Sequence, residues 1–145
     1  MIQSVLMICT GNICRSPMAE YYLKSQLPSS SSLIVHSAGI GAMQGHAATD
    51  NAQSALNKYN IYCTEHQGRQ ITEEIIKESD LILAAEKLHK YNILGKFPTA
   101  CGKVHQLCEN KDIPDPYQRS LRAFEETLEM IIQGLNAWNQ KFNWF

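Results

Sequence analysis

Val5-Leu6-Met7-Ile8-Cys9-Thr10-Gly11-Asn12-Ile13-Cys14-Arg15-Ser16-Pro17 is the stretch from which the fold can be read. Its apolar run, Val5 to Ile8, predicts a short strand buried on both faces, the kind found inside parallel sheets. A glycine-containing loop follows. Ser16 as N-cap and Pro17 as first helical residue then predict a helix through Met18, Ala19, Tyr22 and Leu23, stopped by Pro28 and the serines at 29–32.

The same alternation continues outward. Leu33-Ile34-Val35 predicts a second strand that ends at Ser37-Ala38-Gly39, and Ala52, Ala55, Leu56 and Tyr59 carry helical spacing. Thr72 caps a short helix with Glu73 and Glu74 in its first turn, before the apolar strand Leu81-Ile82-Leu83. A further helix is expected over Glu86 to Leu94 with Gly95 as its stop, and a fourth strand over Lys103 to Leu107. A loop with two prolines, Asp112 to Tyr117, leads into a last helix on which Leu121, Phe124, Leu128, Ile132, Leu135 and Trp138 recur every three or four residues. Strands alternating with helices imply an α/β fold, a parallel sheet covered by helices on both faces, with ligands at the carboxyl ends of the strands.

Composition narrows the function. A length of 145 residues predicts one domain spanning 1–145. A formal net charge of -1 carries no basic footprint for nucleic acid or for an acidic membrane surface. Five cysteines without repeating spacing argue against a disulfide framework and for free thiols in the cytosol. Met1 to Ile8 lacks the charged start and long apolar run of an export signal, and no stretch approaches the roughly 18 apolar residues of a membrane span.

Chemistry is expected in the loop after the first strand. Its backbone N–H groups can converge on one anion at a helix N-terminus, and Gly11 and Asn12 tolerate the positive φ that such a curl requires. Thr10, Ile13, Cys14 and Ser16 complete the cradle. Arg15 supplies a planar fork matched to two phosphoryl oxygens, and Cys9 at the centre sits where every neighbour favours a thiolate. A thiolate in an anion cradle is a nucleophile aimed at phosphorus. Release of an ester oxygen needs a proton donor, and Asp115, held between Pro114 and Pro116, is the candidate. Cys9 attack then leaves a phosphocysteine, which water activated by Asp115 hydrolyses to inorganic phosphate. The protein supplies the positive charge, so neither metal nor other cofactor is expected.

These residues resemble the low-molecular-weight protein tyrosine phosphatases along essentially the whole chain. The signature stands intact at Cys9 to Pro17, and Ser37-Ala38-Gly39, His66-x-x-Arg69-Gln70 and Asp115-Pro116-Tyr117 follow in order. The resemblance implies a four-stranded parallel sheet, with Cys9 as nucleophile, Arg15 as phosphate ligand and Asp115 as acid. It also implies that Ser16 donates to the Cys9 thiolate, that Asn12, Ser37 and His66 hold the loop open, and that Met43 and Tyr117 wall a slot for phosphotyrosine. Gln118 stands where vertebrate members carry a second tyrosine. Ser37 to Met43 and the single-tyrosine loop look most like the bacterial branch that accompanies capsule and exopolysaccharide export, which implies a tyrosine autokinase as partner.

Three other readings account for less of the sequence. A thioredoxin-linked arsenate reductase needs extra thiols after the third strand, and Ala84 to Leu94 contains none. A non-catalytic phosphotyrosine-binding module has no use for both Cys9 and Asp115. Cys101, His105 and Cys108 are too few for structural zinc. Cys14 is expected to trap oxidised Cys9 as a disulfide. The aromatic end, Trp138, Phe142, Trp144 and Phe145, is open to two readings, an exposed patch or a packed tail.

Overall fold

Parallel neighbours must be joined by crossovers, so a chain of short apolar runs separated by helices builds one sheet flanked by its own connections. The computed structural model, which describes all 145 residues, runs β1 (Ser4–Cys9), α1 (Arg15–Gln26), β2 (Ile34–Gly39), α2 (Asp50–Asn57), α3 (Glu73–Lys77), β3 (Leu81–Ala84), α4 (Lys87–Lys96), a 3-10 turn at Pro98–Ala100, β4 (Val104–Gln106) and α5 (Leu121–Phe142). All strands are parallel in the order β2-β1-β3-β4. The chain leaves β1 toward β2 on one side and returns with β3 on the other, so the strand order reverses at β1. Such reversals open a crevice at the carboxyl ends, and Cys9 ends β1 there, paired with Gly39 of β2.

Successive side chains of a strand point to opposite faces, and here they divide the core in two. Val5, Met7, Cys9, Leu81 and Leu83 face α1, α2 and α5. Leu6, Ile8, Ile82 and Ala84 face α3 and α4. Helices therefore cover both faces, as expected. No helix is long and apolar enough to cross a membrane.

Three helix ends differ from expectation. α2 stops at Asn57, so Tyr59 lies in the turn beyond it rather than on the helix. α1 begins at Arg15, so Ser16 is its second residue and Pro17 its third, and no side chain caps it. Pro fits anywhere in a first turn because that N–H has no intrahelical partner. Gly95 lies within α4, which ends at Lys96 just before Pro98, because proline rather than glycine breaks the hydrogen-bond pattern. The aromatic tail is packed. Trp138 Nε1 donates to the Leu107 carbonyl at 2.9 Å, Phe142 stacks on Trp138 and Trp144, and the Phe145 backbone exchanges two hydrogen bonds with the Asn139 side chain.

Phe124 on α5 is 2% exposed in the larger core. Phe124→Ala is expected to cost about 3–5 kcal/mol, read as a lower urea midpoint.

Candidate active site

The loop from Cys9 to Cys14 is shaped by where its carbonyls go. The Cys9, Thr10, Gly11 and Ile13 carbonyls accept from the N–H groups of Ile40, Gly41, Met43 and Thr49, at 2.9–3.1 Å. The Asn12 carbonyl accepts from His66 Nε2 at 2.7 Å. With every carbonyl turned outward, the loop's N–H groups are left facing the opposite side, and those of Gly11 to Cys14 donate to no protein acceptor. The uncapped start of α1 adds its dipole on the same side. An N-cap side chain would consume the donors that an anion needs, which is why Ser16 is not one.

Asn12 holds the curl at φ 58°. Its Nδ2 donates to Ser16 Oγ at 2.7 Å and to Ser37 Oγ at 2.9 Å, and its Oδ1 accepts from the Arg69 N–H at 2.9 Å. Because Ser16 Oγ already accepts from Asn12, its own hydrogen is free to donate to Cys9 Sγ, 2.9 Å away. Ser37 passes its hydrogen to the buried Glu20 carboxylate at 2.6 Å. Gly39 is obligatory, since a Cβ there would stand 2.4 Å from the Thr10 carbonyl oxygen.

Arg15 is 2% exposed and gripped on one arm. Nη1 donates to Glu86 Oε2 and to the Ile113 carbonyl, both at 2.6 Å. Nη2 faces Asp115, with Oδ2 at 3.7 Å. Asp115 itself is half-exposed, and its Oδ1 accepts from the Tyr117 N–H at 3.1 Å. The loop carrying it is pinned by Ile113, which is fully buried and bonds the Ala85 carbonyl through its N–H, and by Asp112, which accepts from the Lys87 N–H.

Around these groups lies a cavity of about 170 Å³ lined by Cys9, Thr10, Gly11, Ile13, Cys14, Arg15, Gly41, Met43, Asp115 and Tyr117. Ile13, Met43 and Tyr117 make its walls apolar. Asn12, Ser16, Ser37 and His66 stand behind the loop instead, so the structure brings all the expected site residues to one place, in two layers. Burial pushes the Cys14 thiol up to about 12, and its Sγ lies 3.6 Å from Thr49 Oγ1. Of the other thiols, Cys63 is buried and Cys108 donates to the Met130 carbonyl, while Cys101 is exposed. No group of three or more His, Cys, Asp or Glu side chains is placed to hold a metal ion.

Glu20, Arg69, Gly41 and Glu86 are parts that sequence reasoning passed over as site residues. Arg69 bonds the Ser37 carbonyl through Nε and His36 Nδ1 through Nη2. Arg69 carried a signal, its place beside His66 in the motif, and Gly41 lay within the stretch Ser37 to Met43. Glu86 is read as an ordinary helix start until the fold sets it against Arg15.

Residues 4–143 match the family model described as low molecular weight phosphotyrosine protein phosphatase. The probable low molecular weight protein-tyrosine-phosphatase EpsP of Ralstonia nicotianae is 43% identical over 140 residues, 95% of this chain and 94% of its own. The crystal structure of the tyrosine phosphatase Wzb from Escherichia coli K30 in complex with sulphate matches with a TM-score of 0.91 at 36% identity, over 98% of this chain and 99% of that one. The YwlE arginine phosphatase from Geobacillus stearothermophilus matches with a TM-score of 0.88 at 30% identity, over 97% of this chain and 92% of that one.

Two outcomes follow from this geometry. Gly39→Ala is expected to push the Thr10 carbonyl aside and abolish vanadate binding, measured by isothermal titration calorimetry, while far-ultraviolet circular dichroism keeps the α/β signature. Burial first, and then the Arg69 guanidinium, lower His36 from 6.5 to about 4. Between those values the unfolded chain binds the extra proton and the folded chain does not, so stability is lost as pH falls from 6.5 toward 4. Urea melts across that range should show this slope, and His36→Gln should flatten it.

Proposed function

The chain belongs to the low molecular weight phosphotyrosine protein phosphatase family, and we propose that it hydrolyses phosphotyrosine in two steps through a phosphocysteine on Cys9. The observation that carries this reading is the convergence of Cys9, the free arm of Arg15 and Asp115 on one cavity beneath a ring of undonated N–H groups. Cys9 Sγ attacks phosphorus, the bond to the tyrosyl oxygen breaks, and Asp115 gives that oxygen its proton. Water then attacks phosphorus, Asp115 takes the water's proton, the S–P bond breaks and inorganic phosphate leaves. Arg15 and the loop amides hold the equatorial oxygens in both steps, so the charge is met by the protein rather than by a metal. Ser16, donating to Cys9 Sγ, holds the sulfur in place for attack.

The apolar walls suit a flat aryl group. They argue against the phosphoarginine that the name of YwlE suggests, since Asp115 is the one carboxylate lining the cavity and the mechanism already uses it. An arsenate reductase would need a relay of thiols, and beyond Cys9 only Cys14 lines the cavity. A binding module would not keep the acid beside the nucleophile. The partner we infer is a bacterial tyrosine autokinase with a phosphotyrosine-bearing tail, in polysaccharide export and in the cytosol. The single-tyrosine Asp115-Pro116-Tyr117 loop, the EpsP and Wzb relatives and five unpaired thiols support it.

With p-nitrophenyl phosphate and a chelator, Cys9→Ser is expected to abolish turnover, and Asp115→Ala to lower kcat by roughly 10²–10³-fold. Rapid acid quench of the Asp115→Ala variant should trap phosphate on Cys9. A parent equally active on phosphoarginine, or one needing added metal, would overturn the reading.

A further inference from the structure

His89 is completely buried on the first turn of α4, and the mechanism above makes no use of it. Its two ring nitrogens have different partners. Nδ1 receives the Glu86 backbone N–H at 3.0 Å, and Nε2 lies 2.9 Å from Thr10 Oγ1. A backbone N–H can only donate, so Nδ1 carries no hydrogen and the ring's single hydrogen is on Nε2. Nε2–H therefore donates to Thr10, and the Thr10 hydroxyl accepts.

That direction matters because Thr10 is exposed at the cavity, directly after the nucleophile, and its hydroxyl makes no other hydrogen bond within the protein. With one lone pair taken by His89, its own hydrogen is aimed away from the protein interior. We propose that His89 is a positioning residue: by donating to Thr10 Oγ1 it turns the Thr10 hydroxyl into a donor toward a phosphoryl oxygen in the cavity. The hydroxyl then adds a directed hydrogen bond to those of the loop amides, from the same side as the grip on Arg15, since His89 Nε2 lies 3.8 Å from the Glu86 oxygen that holds the guanidinium. Burial and the nearby Arg15 guanidinium both lower the imidazole's affinity for a proton, which keeps the ring in the neutral form that this relay uses. His89 and Glu86 share one helical turn, so α4 holds the loop through Thr10 and the guanidinium through Arg15 at once.

The kinetic arm rests on the phosphatase reading, whereas the tautomer is read without turnover. Thr10→Val, isosteric and at an exposed position, is expected to lower kcat/KM for p-nitrophenyl phosphate and to weaken vanadate inhibition, each by about tenfold. Thr10→Ser should restore most of both. His89→Leu should cost as much as Thr10→Val, and the double variant no more than either, because both remove one interaction. His89→Gln, with an acceptor and a donor on one amide, should recover most of the loss. Nitrogen-15 chemical shifts of His89 should report the Nε2–H tautomer in the parent. Thr10→Val within twofold of the parent, multiplied losses in the double variant, or an Nδ1–H tautomer would overturn the proposal. If His89→Leu does not fold, the Thr10 pair and the tautomer still decide. A parent without turnover but with the expected tautomer would instead count against the phosphatase reading.

Discussion

Everything at the site depends on the outward turn of five consecutive carbonyls. A peptide unit carries its donor and acceptor on opposite sides, so satisfying each carbonyl from outside leaves each amide pointing in. The acceptors are met by the segment after β2, through Ile40, Gly41, Met43 and Thr49, and by His66. That segment is placed by β2, and β2 by its register with β1. The anion cradle is thus a by-product of how two neighbouring strands end, and its cost is shared by ordinary backbone hydrogen bonds.

Arg15 shows the complementary arrangement. A guanidinium buried in an α/β core needs acceptors, and a single carboxylate with one carbonyl satisfies one arm only. The other arm stays directed at the cavity mouth, beside Asp115. Cys9 and Arg15 are almost wholly buried and Asp115 is half-exposed, which fits the roles proposed for them: two groups that must not move, and one that exchanges protons with a leaving group and with water.

The strands, the last helix and the loop after β1 were legible because each rests on local chemistry: an apolar run, a 3.6-residue stripe, a glycine and an asparagine where positive φ is needed. Thr72 as a helix cap was legible for the same reason. The start of α1 was misread because Ser16 has the chemistry of a cap, and only the fold shows that its hydroxyl is claimed by Asn12 and Cys9 instead. Gly95 was misread because a helix tolerates glycine near its end, when Pro98 is about to stop it anyway. Ser37 and His66 were recognisable through a family pattern alone, since nothing in their own neighbourhoods speaks of a loop 25 and 54 residues away. Glu86 and His89 had no such pattern to lean on, and their roles exist only once the start of α4 meets Thr10 of the loop after β1 and Arg15 at the head of α1.

The clamp on Arg15 reaches across 98 residues to the Ile113 carbonyl, and Thr10 reaches 79 to His89. Contacts of that span close late, because the intervening chain must be made and ordered first. During synthesis the thiol emerges near the beginning and its clamp near the end. The partners that shape the loop around Cys9 are all made by His66, whereas the carbonyl that fixes Arg15 comes at Ile113, so the guanidinium is the last part of the site to be set in place.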